Sequence, residues 1–168
     1  AKAILKNVIF NTRLIEVGGE CDEAKFDDII HRAAADGDSV GGVVECCIRG
    51  IREPLGEPFF DSVESVMAHL LFSIPAVKGV EFGLGFAFAD TYGSEANDCF
   101  RMDGNRVVTE SNNNGGINGG ITNGMPVLFK CAVKPTPSIS KEQETVDFKK
   151  QEDTTLKLQG RHDPAIIH

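Results

Sequence analysis

The sequence predicts an α+β domain with mostly antiparallel sheets and helices packed against them. Three observations carry that prediction. The segments run strand, helix, strand, helix, strand, and then several short strands, an order that suits antiparallel pairing better than repeated βαβ units. Two stretches, residues 22–35 and 63–73, place apolar residues at helical spacing. The later strand-like runs are separated by Gly-, Asn- and Pro-containing turns. At 168 residues and 41% hydrophobic content, the chain can bury one core. No internal repeat is present, so residues 1–168 read as one domain.

In chain order, residues 1–9 are expected to be the last turns of a helix, and 12–17 a short strand closed by Gly18-Gly19. Residues 22–35 follow as a helix, with Phe26, Ile29, Ile30, Ala33 and Ala34 on one stripe and Gly37 as its terminator. His31 falls on the flank of that helix and is read as a surface or boundary residue and not a catalyst. The Val- and Cys-rich run 39–48 is a buried strand. Its Gly41-Gly42 pair is a weak phosphate-loop signal, because no helix follows at the required spacing. Residues 49–60, with Pro54, Gly56 and Pro58, form a loop.

Asp61 is the expected cap of the next helix, with Glu64 completing a capping box. In that helix Val63, Val66, Met67, Leu70 and Leu71 mark a stripe expected to be core, with His69 a structural neighbour. Residues 74–79 are an extended connector, since Pro75 disfavours a helical Ile74. Residues 80–89 are expected to be a strand with Phe82, Phe86 and Phe88 on one face, and 90–100 a loop. Asp103-Gly104 is a hairpin turn between 100–102 and 106–109. Residues 125–133 are an apolar strand, and 144–148 and 154–158 pair as a hairpin with 149–153 at its tip.

The formal charge of −8 disfavours a general nucleic-acid surface, which needs a basic face. Local cations remain near the interesting segments: Lys78, Arg101, Arg106, Lys134 and Arg161. No apolar run approaches the length of a membrane span. The five cysteines show no CxxC spacing and are read as buried thiols of a reducing compartment, not as a disulfide frame or metal site. A cytoplasmic protein without a bound metal is expected.

Residues 111–124 hold five Gly and five Asn in fourteen positions. Backbone N–H groups freed of side chains converge readily on anions, although a surface loop is the plain alternative. The run matches neither a Walker A loop nor a dinucleotide fingerprint. Lys134-Pro135-Thr136-Pro137-Ser138 sets an ammonium and two hydroxyls on a rigid turn, and Arg161 offers a planar fork within Gly160-Arg161-His162-Asp163-Pro164. Asp163 is either a tuned carboxylate or an ordinary turn residue before Pro164. Together these groups suit a multiply anionic ligand.

The motifs Asp38-Ser39-Val40-Gly41-Gly42, Gly56-Glu57-Pro58, Ser73-Ile74-Pro75-Ala76-Val77-Lys78-Gly79, Gly93-Ser94-Glu95-Ala96-Asn97-Asp98, the 111–124 run, Lys134-Pro135-Thr136-Pro137-Ser138 and Gly160-Arg161-His162-Asp163-Pro164 occur in an order that resembles the C-terminal half of the chorismate synthase family. The resemblance implies part of that family's β-α-β sandwich, with helices between antiparallel sheets, and a homotetramer. It implies a lyase that converts 5-enolpyruvylshikimate 3-phosphate to chorismate and phosphate, a 1,4-anti elimination needing reduced FMN without net redox change. It further implies FMN contacts at Pro75, Ala76, Gly119, Lys134, Pro135, Thr136, Pro137, Ser138 and Arg161, and a proton-handling role for Asp163. The family's Gly-x-Ser-His-Gly and Ser-Ala-Arg-Glu-Thr segments are not in these residues. The chain is therefore expected to be a partial domain, inactive alone. The competing expectation is a flavin-phosphate or anion-binding module without turnover.

Overall fold

Most β-period runs become strands and the two helical stripes become helices in a computed structural model that describes residues 7–51, 54–160 and 163–167. Strand β1 (Ile9–Val17) is longer than the predicted one and takes in Ile9, where a helix end was expected. Residues 1–6 of that expected helix lie outside the described residues. Gly18 and Gly19, at φ +58° and +86°, reverse the chain as predicted. Asp22 caps a single 3-10 turn (Glu23–Lys25) by accepting the Ala24 N–H, and α1 (Phe26–Ala35) follows.

The end of α1 is a Schellman motif. Gly37 sits at φ +66°, its N–H donates to Ala34 O at 3.1 Å, and the Asp38 N–H donates to Ala33 O at 2.8 Å. His31 is exposed, as read from its position.

Strand β2 (Gly42–Arg49) alternates, burying Cys46 and Ile48 while Cys47 stays half-buried. A 3-10 turn (Phe59–Asp61) precedes α2 (Val63–Phe72). Asp61 belongs to that turn and is not the cap. Ser62 takes the role: its backbone is extended, and its Oγ accepts the Ser65 N–H at 3.0 Å. Ser65, not Glu64, therefore stands where the capping box was expected. The α2 stripe is not core either. Val66 is 46% and Leu70 60% exposed, because β3 (Val77–Phe82) and the preceding 3-10 turn pack on only part of the helix.

Residues 74–77 form a tight turn instead of an extended connector. The Val77 N–H donates to Ile74 O at 3.3 Å, Pro75 sits second, and Ala76 adopts φ +72°. Strand β3 stops at Phe82, short of the predicted 80–89 strand. Gly83 (φ +57°) and Gly85 (φ +55°) swing the chain into a 3-10 helix (Gly85–Asp90), which leaves Phe86 exposed. Within the expected 90–100 loop lies one short helix, α3 (Gly93–Ala96).

Strands β4 (Phe100–Asp103) and β5 (Arg106–Thr109) pair antiparallel with Asp103 opposite Arg106. The turn residues are thus Gly104-Asn105, one position later than predicted. The Gly/Asn run folds into a miniature antiparallel hairpin, β6 (Ile117–Asn118) and β7 (Ile121–Thr122). β8 (Val127–Val133) follows, and β9 (Gln143–Asp147) pairs antiparallel with β10 (Glu152–Leu156), close to the predicted hairpin. The larger sheet has the order β1-β2-β8-β3, and the fold is α+β.

The chain divides into two compact units, Ala1–Arg13 with Glu45–Cys131, and Leu14–Val44 with Ala132–His168. In the first, β8 buries Val127, Phe129 and Cys131 on one face, with the Phe82 and Phe129 rings 5.9 Å apart. On the alternate face Lys130 pairs with Glu81 at 2.8 Å. In the second, Val17, Phe26, Ile30 and Ala165 form the core, joined by Leu14, Ile29, Val40 and Ile167. All five cysteines are free, and Cys21 and Cys99 are exposed, which corrects the reading of them as buried; Cys46 and Cys131 are buried as expected. Among the described residues no helix is long and apolar enough to cross a membrane.

Candidate functional site

In the first unit the Gly/Asn run is shaped by a buried carboxylate, Asp98, which the sequence reading quoted without a role. Asp98 Oδ1 accepts the Ser111 hydroxyl and the Asn113 N–H, both at 2.7 Å. Oδ2 accepts the Asn114 N–H and its side-chain Nδ2, both at 2.9 Å. The anion that these backbone donors were expected to attract is therefore, at this end of the run, the protein's own. Burial pushes the Asp98 carboxyl up, and the hydrogen bonds from Ser111, Asn114 and Asn113 outweigh it and hold the group below the usual range. Asp103 and Glu110 stand nearer to the run in sequence than Asp98, so no local signal singles out Asp98.

Glycine permits close backbone contact through the same region. A Cβ on Gly115 would lie 2.7 Å from Leu128 O, and one on Gly116 2.4 Å from Pro126 O. Gly120 is buried and its carbonyl accepts the Val63 N–H at 2.9 Å, tying the hairpin to the start of α2. Gly119 differs. It is exposed at φ +58°, and a Cβ there would meet nothing within 4 Å. A ligand can thus approach its backbone directly. Pro75 and Ala76 occupy the turn before β3 in this unit, Pro75 exposed and Ala76 half-buried.

The second unit holds Lys134, Pro135, Thr136, Pro137 and Ser138 in the loop after β8. Lys134 and Ser138 are exposed, and among the described residues the Lys134 ammonium has no partner. Thr136 Oγ1 is buried and makes no hydrogen bond. Asp163 is exposed beside Pro164. Arg161 lies outside the described residues.

Residues 39–41 touch both of these groups, a connection the sequence reading missed. The Ser39 hydroxyl donates to Thr136 O at 2.6 Å, and the Val40 N–H donates to Pro164 O at 2.8 Å. A Cβ on Gly41 would lie 2.6 Å from Val133 O and 3.0 Å from Pro135 Cδ. Gly42 is equally confined, since a Cβ there would lie 2.2 Å from Glu16 O. The Gly-Gly pair therefore serves close packing and not a phosphate loop.

Chemically, an ammonium unpaired among the described residues, two positions along the chain from an unspent hydroxyl, suits a phosphate, and an open glycine backbone suits the flat edge of a ring system. Two cavities of about 580 and 590 Å³ lie in the first unit, the former lined by Arg13, Glu45, Cys47, Arg49, Asn112 and Leu128. Asn112, Asn123 and Gly124 of the Gly/Asn run and Arg106 line these cavities, whereas Pro75, Ala76, Gly119, the 134–138 residues and Asp163 are not among their described linings. Among the described residues no group of three or more His, Cys, Asp or Glu is placed to hold a metal ion.

The family model for chorismate synthase matches residues 5–168. A chorismate synthase of Methanosarcina barkeri is 54% identical over 131 residues, 78% of this chain and 36% of that protein. One of Thermococcus kodakarensis is 50% identical over 149 residues, 87% of this chain and 42% of that protein. A crystal structure of chorismate synthase aligns with a TM-score of 0.71 at 27% identity, covering 76% of this chain and 49% of that one. The chain thus spans well under half the length of these curated relatives.

Proposed function

Because the chain belongs to the chorismate synthase family, we propose that it carries the flavin side of a site that eliminates phosphate from 5-enolpyruvylshikimate 3-phosphate to give chorismate. The observation that carries this reading is the Lys134 ammonium, without a partner among the described residues, two residues from the buried, unpartnered Thr136 hydroxyl. That donor set fits the phosphate of FMN, with Ser138 as a further hydroxyl. The unobstructed Gly119 backbone and the Pro75-Ala76 turn fit the flavin, and Arg161 serves its anionic groups or those of the substrate. Reduced FMN supplies the electron-rich ring that this elimination needs, with no net redox change. Asp163 holds or moves a proton at its carboxylate. The same reading makes the working assembly a cytoplasmic homotetramer.

Anaerobic chorismate formation tests it, with reduced FMN and 5-enolpyruvylshikimate 3-phosphate given to the chain alone and mixed with the N-terminal half of a family member. Flavin binding by the chain, with turnover in the mixture only, is the expected result; binding without turnover in either leaves a flavin-phosphate module. No flavin binding in either sample removes the reading. In the active mixture Asp163→Asn is expected to lower kcat by about 100-fold, the scale of a lost general acid–base group. FMN affinity should stay within about twofold, since the carboxylate is not among the phosphate donors. Unchanged turnover in that variant would remove Asp163 from the chemistry.

A further inference from the structure

We propose that Ser39 is a positioning residue for the phosphate-binding loop, an inference that rests on the flavin-phosphate reading of Lys134 to Ser138. The 37–41 segment is stitched along that loop and its continuation. Gly37 O accepts the N–H groups of Ser140 and Lys141, at 2.8 and 3.2 Å. Asp38 pairs with Lys141 at 2.8 Å and accepts the Ser39 N–H at the same distance. These contacts hold the far end of the loop, and Gly41 closes its near end against Val133 and Pro135.

Between the two ends, residues 134–139 have one described backbone anchor from this segment, the part-buried bond from Ser39 Oγ to Thr136 O. That bond falls on the residue whose own hydroxyl is buried and unspent. Two prolines flank Thr136, so the loop has few internal N–H donors with which to set its shape. Fixing the Thr136 carbonyl fixes the peptide plane that carries the Thr136 side chain, and with it the direction in which its hydroxyl meets a ligand. Ser39 also precedes Val40, whose N–H holds Pro164 O, so the same segment anchors the backbone next to Asp163. The Asp38–Lys141 pair is solvent-exposed and contributes little on its own.

Ser39→Ala is expected to weaken FMN binding to the chain about five- to tenfold, the effect of one hydrogen bond. Ser39→Thr, which keeps the hydroxyl, restores it. Asp38→Asn, which breaks only the exposed pair, leaves FMN affinity within about twofold. Fluorescence titration of FMN reads all three, with the melting temperature followed in parallel. Equal affinity in Ser39→Ala and wild type, with melting lowered, would make the bond merely structural and overturn the proposal while leaving the flavin reading intact. If the wild-type chain binds no FMN, the flavin reading fails separately, and hydrogen exchange over residues 136–141 then decides. Exchange confined to that loop and faster in Ser39→Ala upholds the positioning role, and unchanged exchange overturns it.

Discussion

Replacing Gly83 by alanine is expected to lower the stability of the chain by about 3–5 kcal/mol, a fall in melting temperature of about 6–20 °C for a protein of this size. Two effects add. The residue sits at φ +57°, where a Cβ costs about 1–2 kcal/mol. The new Cβ would also lie 1.9 Å from Asn113 O and 2.6 Å from Gly115 N, both backbone atoms that cannot rotate aside. Asn113 O accepts the Leu84 N–H at 2.8 Å, and the Gly83 N–H donates to Leu128 O at 3.0 Å. Relieving the clash therefore breaks the stitching of the Gly/Asn run to β3 and β8. Gly104 is the matched control. Its φ is +59°, and a Cβ there meets nothing within 4 Å. Gly104→Ala should cost only the conformational part, about 1–2 kcal/mol. Denaturant unfolding of the two variants isolates the contact term, and equal losses would remove it.

That pair of glycines marks what was and was not legible in the sequence. The reversal after β1, the Gly37 terminator, the β4–β5 hairpin and the β9–β10 hairpin depend on local chemistry, and each was read from neighbouring residues. The cap of α2 slipped by one residue because Asp61 and Ser62 are equally good cap types, and only the preceding 3-10 turn decides between them. Residues 80–89 alternate like a strand, but the glycines at 83 and 85 take positive φ, and the one at 83 keeps backbone contacts with a run thirty residues away. No periodicity carries that information. The α2 stripe has the spacing of a core helix, yet spacing says nothing about whether a partner surface is at hand. The same limit applied to the site. Lys134, Thr136 and Ser138 stood out as residue types, whereas Ser39 and Asp98 act through bonds that span 97 residues in one case and 13–16 in the other.

Asp98 gives the second large effect. Asp98→Ala removes the acceptor for Ser111, Asn113 and Asn114 together and strands donors in a place that is 8% exposed for Asp98 itself. About 3 kcal/mol of stability should go, with a melting temperature lower by about 6–12 °C. Asp98→Asn keeps the shape but turns an NH₂ toward donors that need an acceptor, so it should lose nearly as much. The two variants behave differently from wild type with pH. The folded carboxyl is held below its ordinary range, so its contribution is full above the unfolded value of about 3.9 and is lost as pH falls through the folded one. The gap between wild type and Asp98→Asn, measured by urea unfolding, should therefore be constant from pH 7 to about 5 and shrink below about 4. A gap that stays level into acid would mean that the loop is held by the hydrogen bonds of a neutral group, and that the charge of Asp98 does not organise the Gly/Asn run.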